Sequence, residues 1–160
     1  MNLLSNILTW KRNSIIILVI LVALITLNFY GIYTNRFYFL KPDNYILPIL
    51  SIIHFVYLYV VWFKITEKEL PDPKMRNLEY ALYVLMIVYL FKIYDSATVL
   101  ASSSDYWEHV IPPTFMPIAI LTLAMYILLP LLTLMLFWQR KQHIGVYNFE
   151  NYNDNLNIWQ

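Results

Sequence analysis

Four long apolar runs, separated by short polar segments, constrain this chain more than any other feature of its sequence. They cover about residues 14–33, 45–63, 77–101 and 113–138. A helix needs roughly 20 predominantly apolar residues to cross a hydrocarbon core of about 30 Å, and these runs approach or exceed that length. Short connections make successive helices antiparallel neighbours. The sequence therefore predicts an all-α polytopic membrane protein whose four transmembrane helices form an up-down bundle.

Composition agrees with a membrane location and excludes several classes of function. Of the 160 residues, 60% are hydrophobic and 13% are charged, whereas soluble domains carry about 25% charged residues. The net charge of +1 gives no general attraction for nucleic acid. The absence of cysteine from the sequence excludes disulfides, thiol redox chemistry and thiolate metal ligands.

The basic residues in the short loops predict the orientation of the bundle, because Lys and Arg accumulate on the cytoplasmic side. One side holds Lys11, Arg12, Lys64, Lys68, Lys74, Arg76, Arg140 and Lys141. The other side holds only Arg36 and Lys41. We therefore expect both termini in the cytoplasm of a bacterium, with the protein in the inner membrane. The alternative is an organellar inner membrane, with both termini in the matrix.

The segments outside the four-helix domain, residues 13–138, carry weaker signals. Residues 1–12 place several leucines on one helical face and predict a short interfacial helix, with a frayed terminus as the alternative. Between the second and third spans, Asp72 before Pro73 is a helix-start signal. The cytoplasmic tail, 139–160, is Asn-rich, and its aromatic residues, including Tyr147, either dock on a partner or belong to a disordered end.

Away from their ends, the apolar runs contain three charged or histidine residues: His54 in the second span, and Lys92 and Asp95 in the third. Lys92 and Asp95 are three residues apart and share a helix face, which Ser96 and Tyr89 extend. Counting along the helix places the pair in the outer half of the membrane, with a reach to His54 if the second and third spans pack together. Intramembrane ionisable groups indicate function by default, but the favoured explanation is structural: a Lys–Asp pair that neutralises itself near the outer boundary and an ordinary buried histidine.

The fourth span repeats polar or helix-distorting residues at successive turns of one face. These are Thr122, Tyr126, Pro130 and Thr133. Because hydrogen bonds between membrane helices contribute only about 0.6 kcal/mol on average, this face indicates helix packing. Pro117 and Pro130 are both expected to kink the span.

No motif for a cofactor, a metal or catalysis is present in the sequence. The three histidines, His54, His109 and His143, are predicted at mid-membrane, in the outer loop and in the tail, so they cannot converge on one metal or haem. Phosphate-binding glycine loops and the H-E-x-x-H zinc motif are missing from the sequence. A lipid-modifying enzyme that uses Asp105 and His109 of the outer loop is the weakest of the hypotheses.

These observations favour a non-catalytic accessory or scaffolding subunit of a larger membrane complex. Such a protein would contact other membrane subunits and the lipid bilayer, and would hold no cofactor. Respiratory or energy-transducing assemblies are the first expected hosts, and secretion or motility machinery the next. The alternative is a small proton- or ion-conducting protein that uses Lys92, Asp95 and His54.

Overall fold

The structure is a computed structural model that describes residues 8–103 and 111–147. Its four long helices are α1 (Trp10–Phe29), α2 (Ile46–Thr66), α3 (Pro73–Ala101) and α4 (Phe115–His143). All four are long and apolar enough to cross a membrane. The predicted all-α fold with four transmembrane helices is therefore confirmed.

The helices form a ring in which each contacts its neighbours in the chain and α4 also contacts α1. The most extensive contact joins α3 to α4, and the next joins α1 to α4. Leucines, isoleucines and tyrosines from all four helices meet in one core, with Leu24, Tyr57, Tyr89 and Leu129 among its fully buried side chains. The start of α1 and the end of α4 lie together, since the rings of Trp10 and His143 are 6.5 Å apart.

The first helix begins and ends earlier than the apolar run of 14–33 indicates. It starts at Trp10, where the Thr9 side chain accepts a hydrogen bond from the backbone N–H of Arg12. After Phe29 the chain turns into a short hairpin, in which β1 (Tyr30–Gly31) pairs with β2 (Arg36–Phe37). A Cβ at Gly31 would lie 2.5 Å from the Tyr38 ring, so the close approach of this ring favours glycine there. Residues 1–7 of the predicted interfacial segment lie outside the described residues.

The other helices also extend beyond the predicted spans. A 3₁₀ turn, Pro42–Tyr45, leads into α2. At the start of α3, Asp72 accepts a hydrogen bond from the backbone N–H of Met75 at 2.7 Å, and Pro73 occupies the first turn. The helix-start signal at Asp72 is thus confirmed, and the helix begins four residues before the predicted membrane span of 77–101. Since α4 continues to His143, residues 139–143 of the predicted tail are helical.

Candidate functional site

A crevice at the outer end of the bundle, between α1, α3 and α4, contains the two charges of the third span. Lys92 and Asp95 line both of its parts, an inner cavity of about 160 Å³ and an outer cavity of about 490 Å³. Ser96, Thr122 and Tyr126 line the inner part. The outer part is lined by residues of the hairpin and of the chain that follows it, including Lys41. We call the two parts together the outer crevice.

The position of Asp95 along α3 sets the depth of the outer crevice. Asp95 is six residues before Ala101, the last of the 29 residues of α3, which at about 1.5 Å per residue is about 9 Å along the axis. The whole helix is about 43 Å long, against a hydrocarbon core of about 30 Å. If the helix extends equally beyond both sides of the core, Asp95 lies a few ångströms below the outer boundary. With that centring, the outer crevice would lie at the level where lipid head groups meet the acyl chains.

Lys92 and Asp95 form no ion pair with each other within 4.0 Å. Lys92 is half-buried and Asp95 is exposed. Within the described ranges, all side-chain ion pairs shorter than 4.0 Å join other residues, and the hydrogen bonds of these ranges likewise leave both side chains without a protein partner. The outer crevice therefore presents one positive and one negative group, one helical turn apart, to whatever occupies it.

His54 belongs to a separate network in the core. Its Nδ1 lies 3.1 Å from the hydroxyl of Tyr89, and its Nε2 lies 3.4 Å from Oγ1 of Thr133. All three residues are fully buried, and they join α2, α3 and α4 at one level. His54 does not line the outer crevice, so the predicted cluster of Lys92, Asp95 and His54 divides into two sites.

Tyr126 lies between these two sites. Its side chain lines the outer crevice and is 4% exposed. It interacts electrostatically with Asp95 and with Tyr89. Of the predicted face of the fourth span, Tyr126, Pro130 and Thr133 are buried in the bundle and Thr122 is half-buried. Pro117 lies in the first turn of α4, where no helical hydrogen bond is lost, whereas Pro130 is inside the helix.

A third polar network, at the inner end of the bundle, was missed by sequence reasoning. Arg140 Nη2 lies 2.8 Å from the carboxylate of Glu79, and both side chains are 7% exposed. The hydroxyls of Tyr147 and Tyr57 donate to the same carboxylate at 2.7 Å and 3.3 Å. Arg140 also donates to the carbonyl oxygen of Gly145, and its guanidinium lies 4.2 Å from the centre of the Tyr147 ring. This network holds the chain after α4 against α3.

The electrostatics of Tyr147 follow from that position. Burial raises the pKa of its hydroxyl, and the hydrogen bond to Glu79 and the negative charge of that residue raise it further. Tyr147 therefore remains a neutral donor well above neutral pH. The sequence signal that would have revealed the network was Glu79, a carboxylate within the apolar third run, but the predicted end of the fourth span at 138 placed Arg140 in a loop.

A pair of amides joins α1 to α4 near the same end. Asn13 Nδ2 donates to Oε1 of Gln139 at 2.9 Å and to the carbonyl oxygen of Leu132 at 3.2 Å. Gln139 Nε2 in turn donates to the carbonyl oxygen of Leu8. Asn13 is fully buried. Its role is to fix the register of two helices that are far apart in the sequence.

The outer-loop enzyme and a metal site are the two remaining hypotheses that concern particular residues. Asp105 and His109, the residues of the outer-loop enzyme hypothesis, lie in 104–110, outside the described residues. Within 8–103 and 111–147, no group of three or more His, Cys, Asp or Glu side chains is arranged to hold a metal ion.

The fold and its polar groups define the class of this protein as an integral membrane four-helix bundle. No protein-family model, curated protein or solved structure matches the chain. Function is therefore inferred from the geometry of the bundle.

Proposed function

We propose that this protein is a non-catalytic accessory or scaffolding subunit of a larger integral membrane complex. A respiratory or energy-transducing assembly is the preferred host, and secretion or motility machinery the next. The preferred location is a bacterial inner membrane, with an organellar inner membrane as the alternative. The observation that carries the proposal is the outward face of α3.

The outward face of α3 is large and aromatic, and it carries polar groups. Only 11% of the most apolar part of α3 is buried in the bundle, against 39% for α4. Side chains at helical spacing point outward, among them Tyr80, Ile87, Phe91 and Tyr94, the last being 71% exposed. Asp95 borders this face. The hydroxyls of Tyr80 and Tyr94 on this face are better satisfied by a neighbouring helix than by lipid tails.

The interior of the bundle supports a structural role as well. Its buried polar groups pair with one another across helices, as the contacts of His54 with Tyr89 and Thr133 show. The same holds for Glu79 with Arg140. Such pairing stabilises one arrangement of the helices. A bundle that is held together internally can present α3 as a fixed docking surface.

One observation favours the alternative, a proton or ion conductor. Asp95, Tyr126, Tyr89 and His54 form a series of polar groups that leads from the outer crevice into the core. The series stops at Thr133, whose hydroxyl donates to the carbonyl oxygen of Leu129 within its own helix. Below that level, the hydrogen bonds of the inner network join Glu79 to Arg140, Tyr57 and Tyr147 and do not include Thr133. The described residues thus provide half of a path, and we prefer the subunit proposal.

Purification from the native membrane in a mild detergent tests the proposal. The protein is expected to co-migrate with larger partners, and Ile87→Trp, at the centre of the α3 face, should reduce the recovered complex about tenfold by blocking close helix packing. Val19→Trp is the matched control, because Val19 is equally exposed but lies on α1.

Three results would contradict the subunit proposal. One is migration of the protein as a lone homo-oligomer. Another is an equal loss of complex with Ile87→Trp and Val19→Trp. The third is proton flux in vesicles that contain only this protein, abolished by Asp95→Asn, which would establish the conductor instead.

A further inference from the structure

The outer crevice has the properties of a ligand site that neither the bundle nor the proposed partner helix explains. Its two parts share Lys92 and Asp95, and the outer part alone, at about 490 Å³, is within the size range of pockets that hold small molecules, about 300–1,000 Å³. Apolar walls from Leu27, Val99 and Ala119 adjoin the polar groups of the inner part. A ligand that fits must therefore be partly apolar and partly charged.

The charges of the outer crevice restrict that ligand further. Lys92 and Asp95 line both parts, and Lys41, whose Nζ lies 4.0 Å from the carboxylate of Asp43, lines the outer part. Asp95 would repel a purely anionic group, and the two lysines would repel a purely cationic one. Residues three apart on a helix have Cβ atoms about 5–6 Å from each other. A phosphate on the lysines and an ammonium on Asp95, joined by a two-carbon linker, match this arrangement.

We propose that the outer crevice binds the zwitterionic head group of a phosphoethanolamine lipid. The phosphate contacts Lys92 and Lys41, and the primary ammonium donates to the carboxylate of Asp95. Charge-assisted hydrogen bonds of this type are the strong ones. The acyl chains run down the apolar outer surface of the bundle, because the outer crevice lies at the level where head groups meet acyl chains. This assignment concerns lipid only and does not depend on the proposed partner complex.

Native mass spectrometry of the purified full-length protein tests the site, with defined lipids added in detergent. Phosphatidylethanolamine should bind about tenfold better than phosphatidylglycerol or phosphatidylcholine, which lack the primary ammonium. Asp95→Asn should weaken phosphatidylethanolamine binding about tenfold and improve that of phosphatidylglycerol, because the repulsion of the anion is removed. Lys92→Gln should weaken both. Lys141→Gln, an exposed lysine at the opposite end, is the matched control and should change neither.

The expected gain of phosphatidylglycerol binding distinguishes a specific effect of Asp95→Asn from misfolding. A misfolded variant would lose the binding of both lipids. An unchanged preference between the two lipids in Asp95→Asn would overturn the proposal. So would equal weakening by Lys141→Gln. Competition by free phosphoethanolamine at the same concentration as the lipid would show a soluble ligand and would overturn the lipid assignment.

Discussion

At the scale of single residues, the ion pair of Glu79 and Arg140 is the most consequential interaction of the described residues. Moving a charge out of water is costly, and this cost is offset only when the partners also satisfy each other's hydrogen bonds. Glu79 receives hydrogen bonds from Arg140, Tyr57 and Tyr147. Removal of the negative charge would leave the guanidinium of Arg140 buried without a counter-ion.

Glu79→Gln is therefore expected to lower the free energy of unfolding by about 3–5 kcal/mol. The measurement is reversible unfolding in mixed micelles, followed by helix content. Glu67→Gln is the matched control, because Glu67 is exposed at the end of α2, and it should change stability little.

The double variant Glu79→Leu with Arg140→Leu distinguishes the cost of leaving one buried charge without its counter-ion from the cost of losing the whole ion pair. Because it removes both charges, it should recover much of the stability that Glu79→Gln loses. Equal destabilisation by the single and double variants would show that the hydrogen bonds of the tyrosines, and not the buried charge, dominate.

At the scale of elements, the start of α3 shows how a local signal and a tertiary contact act together. Asp72 caps the helix through the backbone N–H of Met75, and it also lies 2.8 Å from Nζ of Lys64 at the end of α2. Partial burial raises the pKa of the Asp72 carboxyl, but the hydrogen bonds from Lys64 and Met75 outweigh burial, and the pKa is lowered from its usual value. The carboxylate thus joins two helices across their loop.

This lowered pKa predicts a pH dependence of stability. The contribution of Asp72 is present above its unfolded pKa of about 3.9 and is lost as the pH falls through the lower folded value. Asp72→Asn keeps a good capping residue but removes the charge, so it should destabilise the protein by about 1 kcal/mol at pH 7. The difference from the unmodified protein, measured by thermal unfolding, should shrink as the pH falls below about 4.

Asp43→Asn is the control for this pH dependence, because Asp43 lies 4.0 Å from Lys41 in a pair that is mostly exposed. Asp43→Asn should leave the free energy of unfolding unchanged at pH 7 and below about pH 4. A difference between Asp72→Asn and the unmodified protein that stays constant down to pH 3 would mean that capping, and not the charge, accounts for the effect.

At the scale of the whole molecule, the bundle places the start of α1 and the end of α4, which lead to the two termini, at one end and the hairpin at the other. The basic residues predict that the end with the termini is cytoplasmic. The absence of cysteine from the sequence makes this prediction easy to test, because a single introduced thiol has no background. Leu40, which is 99% exposed near the hairpin, and Lys68, which is exposed in the loop between α2 and α3, are suitable positions.

In intact cells, Leu40→Cys should react with a membrane-impermeant thiol reagent, whereas Lys68→Cys should react only after the membrane is permeabilised. The extent of labelling, read on a gel, is the measurement. Labelling of Lys68→Cys alone in intact cells would invert the predicted orientation, although the four-helix bundle itself would stand.

The sequence by itself determined the number and the type of the elements. Four continuous apolar runs of about 20 residues indicate helices, because a backbone surrounded by lipid must satisfy its own hydrogen bonds and barrel strands are shorter and alternate in hydropathy. The start of α3 was also readable, since a cap such as Asp72 acts on neighbouring residues. Boundaries that depend on tertiary contacts could not be predicted in this way. The end of α4 at His143 is one of them, because the chain after it folds back onto Glu79, a residue of another helix.

Only the tertiary structure decided which polar groups meet. The sequence grouped His54 with the pair Lys92 and Asp95 because their predicted depths in the membrane are similar. In the structure, His54 lies in the core, whereas the pair lines the outer crevice. Glu79 and Arg140 were 61 residues apart and had no common signal, yet they form the best-connected pair of the inner network. The physical reason is that hydropathy fixes how deep a residue lies along its helix, while the direction in which its side chain points depends on how the helices pack.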